Sequence, residues 1–235
     1  MIKYLRLQQQ FNAAAMLQEA GRLAQTWWKE HYNARHYEGN WSLIPLRAPG
    51  GDPQNIFAMH ASANESVRYA DTPLLEQCPH IKAALDFFQC EKMSVRLMKL
   101  DAGAVILEHT DQDLTMEEGE ARLHIPLQTN EAVDFYVADE CLHLREGECW
   151  YLNLSLRHRV ENKGTTDRLH LVIDCLVNDW LRELFATAEL QKEVTDADLA
   201  PRVSREDQEK IIAHLREMNT TVSNELADKM QQELL

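Results

Sequence analysis

The 235-residue chain has no run of apolar residues approaching the roughly 18–20 that a membrane-spanning helix needs, which excludes such a span. Its five cysteines, at 78, 90, 141, 149 and 175, are odd in number, and none stands in a CxxC spacing. They read as reduced thiols, mostly buried, and not as a disulfide frame. Positive charge is scarce. There are 24 Lys and Arg against 38 Asp and Glu, a formal net charge of −14. Such a surface repels phosphate backbones and anionic lipid, which argues against nucleic acid and membrane partners. A local pocket can still oppose the global sign. The opening MIKYLRLQQQFNAAAM lacks a continuous apolar run, so no secretory signal is expected. The chain has no internal repeat and no low-complexity tract. A cytoplasmic protein is the expectation.

What is present supports one sizeable core, since 45% of the residues are hydrophobic. Leu5, Leu7, Phe11, Ala15, Leu17, Leu23 and Trp27 fall at helical spacing and predict an amphipathic helix within 5–30. GNWSLIPLRAPGGDPQN (39–55) reads as a short strand and a Pro/Gly-punctuated loop, and PHIKAALDFFQC (79–90) as a second helix. From about 93 to 177 short β-rich runs follow one another: MSVRLMKL, GAVILEHT, ARLHIPLQ, AVDFYVA, CLHL, ECWYLNL, RHRVEN and RLHLVIDCLV. Many short strands with turns between them predict a sandwich or small barrel. The acidic DQDLTMEEGE (111–120) interrupts them as a loop.

After Asp179 the pattern is helical again, in DWLRELFATAELQKEV and in the segment opened by Ser204, whose hydroxyl with Glu206 and Asp207 suits a helix start. The expected organisation is a domain over 1–190 with its β core at about 93–177, and a helical extension over 191–235. That extension would serve as a lid, a homodimer surface or a small subdomain.

Strands alternate faces. Leu123, Ile125 and Leu127 share one face, opposite Arg122 and His124. Leu169, Leu171, Ile173 and Cys175 share one face, opposite Arg168, His170, Val172 and Asp174. Ser94, Arg96, Met98 and Leu100 also line up. Two readings compete. In one, the polar rows face water. In the other, they face a barrel mouth, where clustered positive charge requires an anionic partner.

The stretch LEHTDQD (107–113) puts His109 and Asp111 on one face, and SLRHRVEN (155–162) supplies His158. Two neutral imidazoles and one carboxylate on one side leave several coordination positions open, which suits non-haem Fe(II). A cosubstrate and dioxygen (O2) then take the open positions. Arg168 follows His158 by ten residues and can return on the next strand to face the metal. Its guanidinium suits the far carboxylate of a dicarboxylic cosubstrate. An HxD pair alone is a weak signal in a chain with ten histidines. His31, His36, His60, His80, His143 and His214 carry no such context and read as structural or exposed.

The span SVRLMKLDAGAVILEHTDQD … EARLHIPLQTN … LREGECWYLNLSLRHRVENKGTTDRLHLVIDCLV (94–177) resembles the aspartyl/asparaginyl β-hydroxylase family, Fe(II)- and 2-oxoglutarate-dependent oxygenases. The resemblance implies a mainly β fold, a double-stranded β-helix (jelly-roll, cupin-like) core with flanking N-terminal helices and a C-terminal helical segment. It implies that His109, Asp111 and His158 ligate iron and that Arg168 binds the distal carboxylate of 2-oxoglutarate. Arg122 and His124 match the cosubstrate-binding strand and would contact the carboxylate near the metal. Met98 stands where animal members carry a cosubstrate-binding serine. Asp111 argues against a halogenase, which lacks that carboxylate.

The resemblance also implies hydroxylation of an amino-acid side chain, either Asp or Asn in a peptide or a free amino acid. The family places substrate contacts in the N-terminal region, which makes Trp41 and Arg47 candidates, and Arg96, on the same strand face as Met98, is a third candidate substrate contact. Arg157 and Arg159 flank His158 and point away from it by alternation. Trp150 and Tyr151 are expected in the core. A rival class is a non-catalytic cupin-like metal-binding or sensor protein. Arg168 and the Arg122/His124 strand argue against it, because metal binding alone needs no cationic cosubstrate pocket. A third is an interaction protein acting through the helices beyond 190.

Overall fold

A computed structural model of the chain describes residues 1–24, 26–57, 67–111, 114–199, 205–218 and 220–233. His60 and Ser204, singled out in the sequence, lie outside the described residues. The chain divides into two compact units, Met1–Asp198 and Leu199–Leu235.

The first unit begins with β1 (Ile2–Arg6), α1 (Ala13–Leu23), β2 (Lys29–Glu30), β3 (Tyr37–Glu38), β4 (Trp41–Pro49), β5 (Tyr69–Asp71) and α2 (Pro79–Phe87). Eight strands follow: β6 (Lys92–Leu100), β7 (Val105–His109), β8 (Glu120–Gln128), β9 (Val133–Val137), β10 (Glu140–Leu142), β11 (Trp150–Leu152), β12 (His158–Asn162) and β13 (Arg168–Leu176). Then come α3 (Asp179–Ala186), β14 (Leu190–Glu193) and the one-turn α4 (Asp196–Leu199). The larger sheet has the order β14-β1-β11-β8-β13-β6-β4-β2, with β5 on β4, and the smaller has β10-β9-β12-β7-β3. Strands β6, β8, β11 and β13 lie in the larger sheet, while β7, β9, β10 and β12 lie in the smaller. The chain thus winds back and forth between two antiparallel sheets. That winding is the jelly-roll, or double-stranded β-helix, expected from the sequence.

Both faces of the larger sheet are covered. Leu123, Ile125, Leu171 and Ile173 pack outward against Met16 and Ala20 of α1, Ile81 and Leu85 of α2, and Leu181 and Phe185 of α3. Burying one such leucine fully stabilises the fold by about 1.5–3 kcal/mol. Val172 and Met98 point the other way and pack with Phe135 and Val160 of the smaller sheet. The polar rows on this inner face therefore do not meet water. Arg96, His124, Arg168, His170 and Asp174 are all buried. Of the two sequence readings, the one with polar rows turned inward describes the molecule.

Glu19 fixes α2 on α1. Its buried carboxylate accepts from the His80 and Ile81 backbone N–H groups at 2.8 and 3.0 Å, where a helix N-terminus presents unpaired donors.

Three sequence expectations need correction. Within 5–30 only Ala13–Leu23 is helical, and Asn12 caps it by accepting from Ala15 N at 3.1 Å. Ile2–Arg6 is a strand, because Trp150–Leu152 offers it a full antiparallel ladder. Tyr4 then faces the inner core and Leu5 the outer. The strand in 39–55 is nine residues long, not short, and ends at Gly50 and Gly51, whose φ values are +66 and +71°. A Cβ on Gly51 would lie 2.9 Å from the Asp71 carbonyl oxygen. Finally, the helix begun at Asp179 stops at Ala186, and Leu190–Glu193 pairs with the free edge of β1 instead.

The second unit contains α5 (Arg205–Met218) and α6 (Thr221–Glu233), with Ile212 and Ala227 buried. Thr220 caps α6, its hydroxyl accepting from Ser223 N at 3.1 Å. Among the described residues no helix is long and apolar enough to cross a membrane. All five cysteines are free, four buried and Cys141 exposed.

Candidate active site

Strand β7 ends at His109 and β12 begins at His158, and the register sets the two directly opposite. Their ring centroids are 4.2 Å apart. Asp111 follows by the two-residue period, its N–H donating to the Leu154 carbonyl at 2.8 Å. One donor atom from each of His109, Asp111 and His158 lies within 4.8 Å of the others.

The second nitrogen of each imidazole is tied down. Nδ1 of His109 is 2.7 Å from the Leu107 carbonyl, and Nδ1 of His158 is 3.0 Å from the Leu156 carbonyl. A neutral imidazole whose Nδ1–H donates there keeps a free lone pair on Nε2. Burial pushes the His158 pKa down to about 4, against the pull of Asp111, so the ring is neutral at pH 7. Burial pushes the Asp111 carboxyl up, but the Arg122 guanidinium and the two imidazoles outweigh it, and the group stays below its ordinary value. Two imidazole nitrogen donors and one carboxylate on one side of a cavity fit the donor set of non-haem Fe(II).

Arg122 was expected to contact the cosubstrate carboxylate. The structure instead commits it to two carboxylates of its own chain. Nη1 donates to Asp111 Oδ2 at 2.6 Å, Nε to Asp174 Oδ1 at 2.6 Å and Nη2 to Asp174 Oδ2 at 3.1 Å. Arg96 Nη2 donates to Asp174 Oδ2 at 2.8 Å. Asp111, Arg122, Asp174 and Arg96 thus form a buried chain of alternating charge, the arrangement that makes buried ions tolerable. Burial raises the Asp174 carboxyl, yet the two guanidiniums bring it down to about 2. Arg96, a candidate substrate contact, is turned to Asp174.

Arg168 opens β13 and is only 2% exposed. Its Nη2 lies 2.7 Å from His170 Nδ1, which is 3.4 Å from His124 Nδ1. Burial alone lowers its pKa to about 9, and its Nε has no hydrogen-bond partner among the described residues. Burial, with Arg168 adding to it, pushes His124 and His170 well below their ordinary value. A buried guanidinium beside two neutral imidazoles, with no carboxylate paired to it among the described residues, suits an anionic ligand.

These groups share one cavity. His109, Asp111, Arg122, His124, His158 and Arg168 line it, and Trp41, Met98, Ile106, Phe135 and Val160 supply apolar walls. Trp41 is at this cavity, stacked on His31 with centroids 3.6 Å apart. Arg47 is not. It lies past a register shift between β4 and β6, and its guanidinium binds Asp71 at 2.5 Å and the Lys92 and Tyr69 carbonyls at 2.8 and 2.9 Å. Those three partners satisfy it away from the cavity. Arg157 pairs with Asp139, and Arg159 lies over Tyr136 beside Glu161, both pointing away from His158 as alternation predicts.

Two residues read as contextless in the sequence belong near the site. The His36 ring is 4.8 Å from that of His109. His31 is buried against Trp41, and burial, with Arg96 and Arg122 adding to it, pushes its pKa down to about 3. No spacing rule links them to His109. The crowding of rings in HYNARHYEGNW (31–41) was the available signal.

Residues 10–177 match the family described as Aspartyl/Asparaginyl beta-hydroxylase. The L-proline cis-4-hydroxylase of Rhizobium meliloti (strain 1021) is 30% identical over 139 residues, which cover 58% of this chain and 48% of that protein. The match spans about half of that relative's length. Among solved structures, a prolyl-4-hydroxylase from Pseudomonas putida superposes with a TM-score of 0.49 at 12% identity, covering 76% of this chain and 94% of that one. HygX from Streptomyces hygroscopicus, with nickel and 2-oxoglutarate bound, gives 0.47 at 12% identity, covering 76% and 84%. The family match takes in most of the chain, including His109, Asp111, His158 and Arg168, and the chain belongs to the aspartyl/asparaginyl β-hydroxylase family.

Proposed function

We propose that the protein is an Fe(II)- and 2-oxoglutarate-dependent hydroxylase acting on a free amino acid. The observation that carries this reading is the presence, in one buried cavity, of the His109–Asp111–His158 donor set and the Arg168 guanidinium, whose Nε has no hydrogen-bond partner among the described residues. A protein that merely held a metal would have no use for that second, cationic feature.

When bound, iron with 2-oxoglutarate and O2 supplies the oxidising power to convert a C–H bond to an alcohol while 2-oxoglutarate becomes succinate and CO2. His109, Asp111 and His158 would hold the iron. Arg122 would keep Asp111 ionised and oriented. Arg168 would bind the distal carboxylate of 2-oxoglutarate through two parallel N–H donors. The neutral rings of His124 and His170 fill the space around Arg168 without competing for its anion. Trp41, Met98 and Phe135 exclude water and narrow the approach, which favours a single pose for the reacting carbon.

The free amino acid is preferred over Asp or Asn in a protein for two reasons. The cavity is walled by the buried side chains of Trp41, Met98, Phe135 and Arg168, which suits a small cosubstrate with a small substrate at its mouth. The curated relative bears the name of a hydroxylase of a free amino acid, L-proline. The five free cysteines fit a reducing compartment, and the cytoplasm is the proposed setting.

The test is succinate formation from 2-oxoglutarate and Fe(II) in air. The panel comprises free amino acids, proline among them, and Asp- and Asn-containing peptides. Succinate matched by an amino-acid product one oxygen atom heavier supports the proposal. Turnover driven only by the peptides overturns the substrate class. Equal turnover by His158→Ala overturns the site.

A further inference from the structure

Strands β9 and β10 form a hairpin on the smaller sheet. Its two turn residues, Ala138 and Asp139, both have positive φ, at 46 and 68°, which gives a tight two-residue connection. The register pairs Tyr136 with Cys141 and Phe135 with Leu142. Phe135 and Leu142 face the inner core. Alternation therefore turns Asp134, Cys141 and His143 to the opposite, outer face. The sequence reads CLH there: two metal-binding side chains two residues apart, Cys141 on β10 and His143 just past its end, with a carboxylate on the strand beside them.

The three groups converge. Asp134 Oδ1 lies 3.0 Å from His143 Nε2 and 3.6 Å from Cys141 Sγ, and one donor atom from each lies within 4.8 Å of the others. A single carboxylate oxygen thus accepts from both a thiol and an imidazole. The other oxygen, Oδ2, is held at 2.9 Å by Lys163, which also binds Glu161 at 2.8 Å. The thiol proton directed at Oδ1 occupies the position that a cation would take. A serine would serve a purely hydrogen-bonded cluster as well as a cysteine does. What a thiol adds, beside an imidazole and a carboxylate, is affinity for a borderline-soft metal.

We infer that Asp134, Cys141 and His143 form a second metal site, for a thiophilic divalent cation of the zinc type, with its fourth position open to water. Binding releases the Cys141 thiol proton, and the His143 proton where Nε2 carries it, and leaves the Lys163–Asp134 Oδ2 bond in place. The donor set separates this site chemically from the inner one. The inner site has nitrogen and oxygen donors only, and this one has sulfur. It also lies on the far face of the smaller sheet, so its occupancy does not depend on His109 or His158.

Cobalt(II) titrated into the full chain tests the assignment, since a cobalt–thiolate bond gives a near-ultraviolet charge-transfer band that nitrogen and oxygen ligands do not. The expected result is that band, its survival in His158→Ala, its disappearance in Cys141→Ser and its displacement by Zn2+. His143→Gln weakens cobalt binding at this site by about tenfold or more, at least the cost of a lost outer-shell partner at known metal sites. Cys141 is exposed, so its replacement leaves the core intact. Absence of the band, or a band unchanged in Cys141→Ser, overturns the inference and leaves the three residues as a hydrogen-bonded cluster.

Discussion

The Arg122 guanidinium donates to Asp111 at 2.6 Å on one side and to Asp174 at 2.6 and 3.1 Å on the other. It thereby ties the carboxylate that completes the metal donor set to the centre of the larger sheet. Asp111 follows the end of β7, where its backbone N–H is held by the Leu154 carbonyl and its side chain by Arg122. Replacing Arg122 by Lys keeps the charge but cannot span both carboxylates. The account predicts that Arg122→Lys weakens Fe(II) binding by about 10–100-fold, the usual effect of losing an outer-shell partner. An iron titration monitored by activity measures it. The KM for 2-oxoglutarate, measured at saturating iron, changes far less.

Arg168 has the opposite signature. It makes no contact with the donor set, and its loss removes the cation facing the anionic ligand. Arg168→Ala is expected to raise the KM for 2-oxoglutarate by about a hundredfold, the roughly 3 kcal/mol that charged hydrogen bonds supply. Iron affinity stays within about twofold, since the ligands are untouched. Initial-rate kinetics with varied 2-oxoglutarate distinguish the two variants.

The buried histidines set a pH dependence of stability for the metal-free protein. His158 and His31 have folded pKa values pushed down from 6.5 to about 4 and about 3. As pH falls below 6.5 the unfolded chain takes up protons that the folded chain refuses. Their contribution is therefore fully present above 6.5 and is lost on the way down to about 4 for His158 and about 3 for His31. The melting temperature is expected to fall steadily between pH 7 and 5, before carboxylates such as Asp174 titrate. His31→Phe keeps a ring on Trp41 without the titrating nitrogens, and it makes that slope shallower. A pH-independent melting temperature over this range contradicts the assignment.

Leu171 is fully buried on the helix-facing side of β13, opposite the site. Leu171→Ala is expected to cost about 2–5 kcal/mol of stability through lost transfer energy and the cavity left behind. Urea unfolding at pH 7 measures it. The KM for 2-oxoglutarate in the folded fraction should not change, because the side chain faces away from the cavity.

The residues that the sequence made legible were those placed by short-range rules. Two-residue alternation put His109 with Asp111, and Arg168 with His170 and Asp174, and both groupings hold in the fold. The eight β-rich runs gave a sandwich or small barrel because each run is a core strand, while the jelly-roll winding was legible only through the family resemblance. What escaped depended on partners far along the chain. Arg122 looks like a ligand-binding residue until Asp111 and Asp174 are brought to it from β7 and β13. Arg47 looks free until β5 and the Lys92 carbonyl arrive. Leu5 and Leu7 satisfy helical and strand periods alike, and only the ladder with Trp150–Leu152 decides between them. His31 and His36 carry no spacing signal, since the N-terminal excursion before β4 delivers them to the site from outside the core motif.

The central claim is that His109, Asp111 and His158 hold iron in the same cavity where Arg168 receives 2-oxoglutarate. Adding Fe(II) and then 2-oxoglutarate without oxygen, and recording the visible spectrum, tests it most directly. A keto acid chelated to Fe(II) gives a metal-to-ligand charge-transfer band. The account predicts that band for the unaltered chain, its loss in His158→Ala, and its appearance in Arg168→Ala only at much higher 2-oxoglutarate. No band in the unaltered chain, or an undiminished one in His158→Ala, would contradict it.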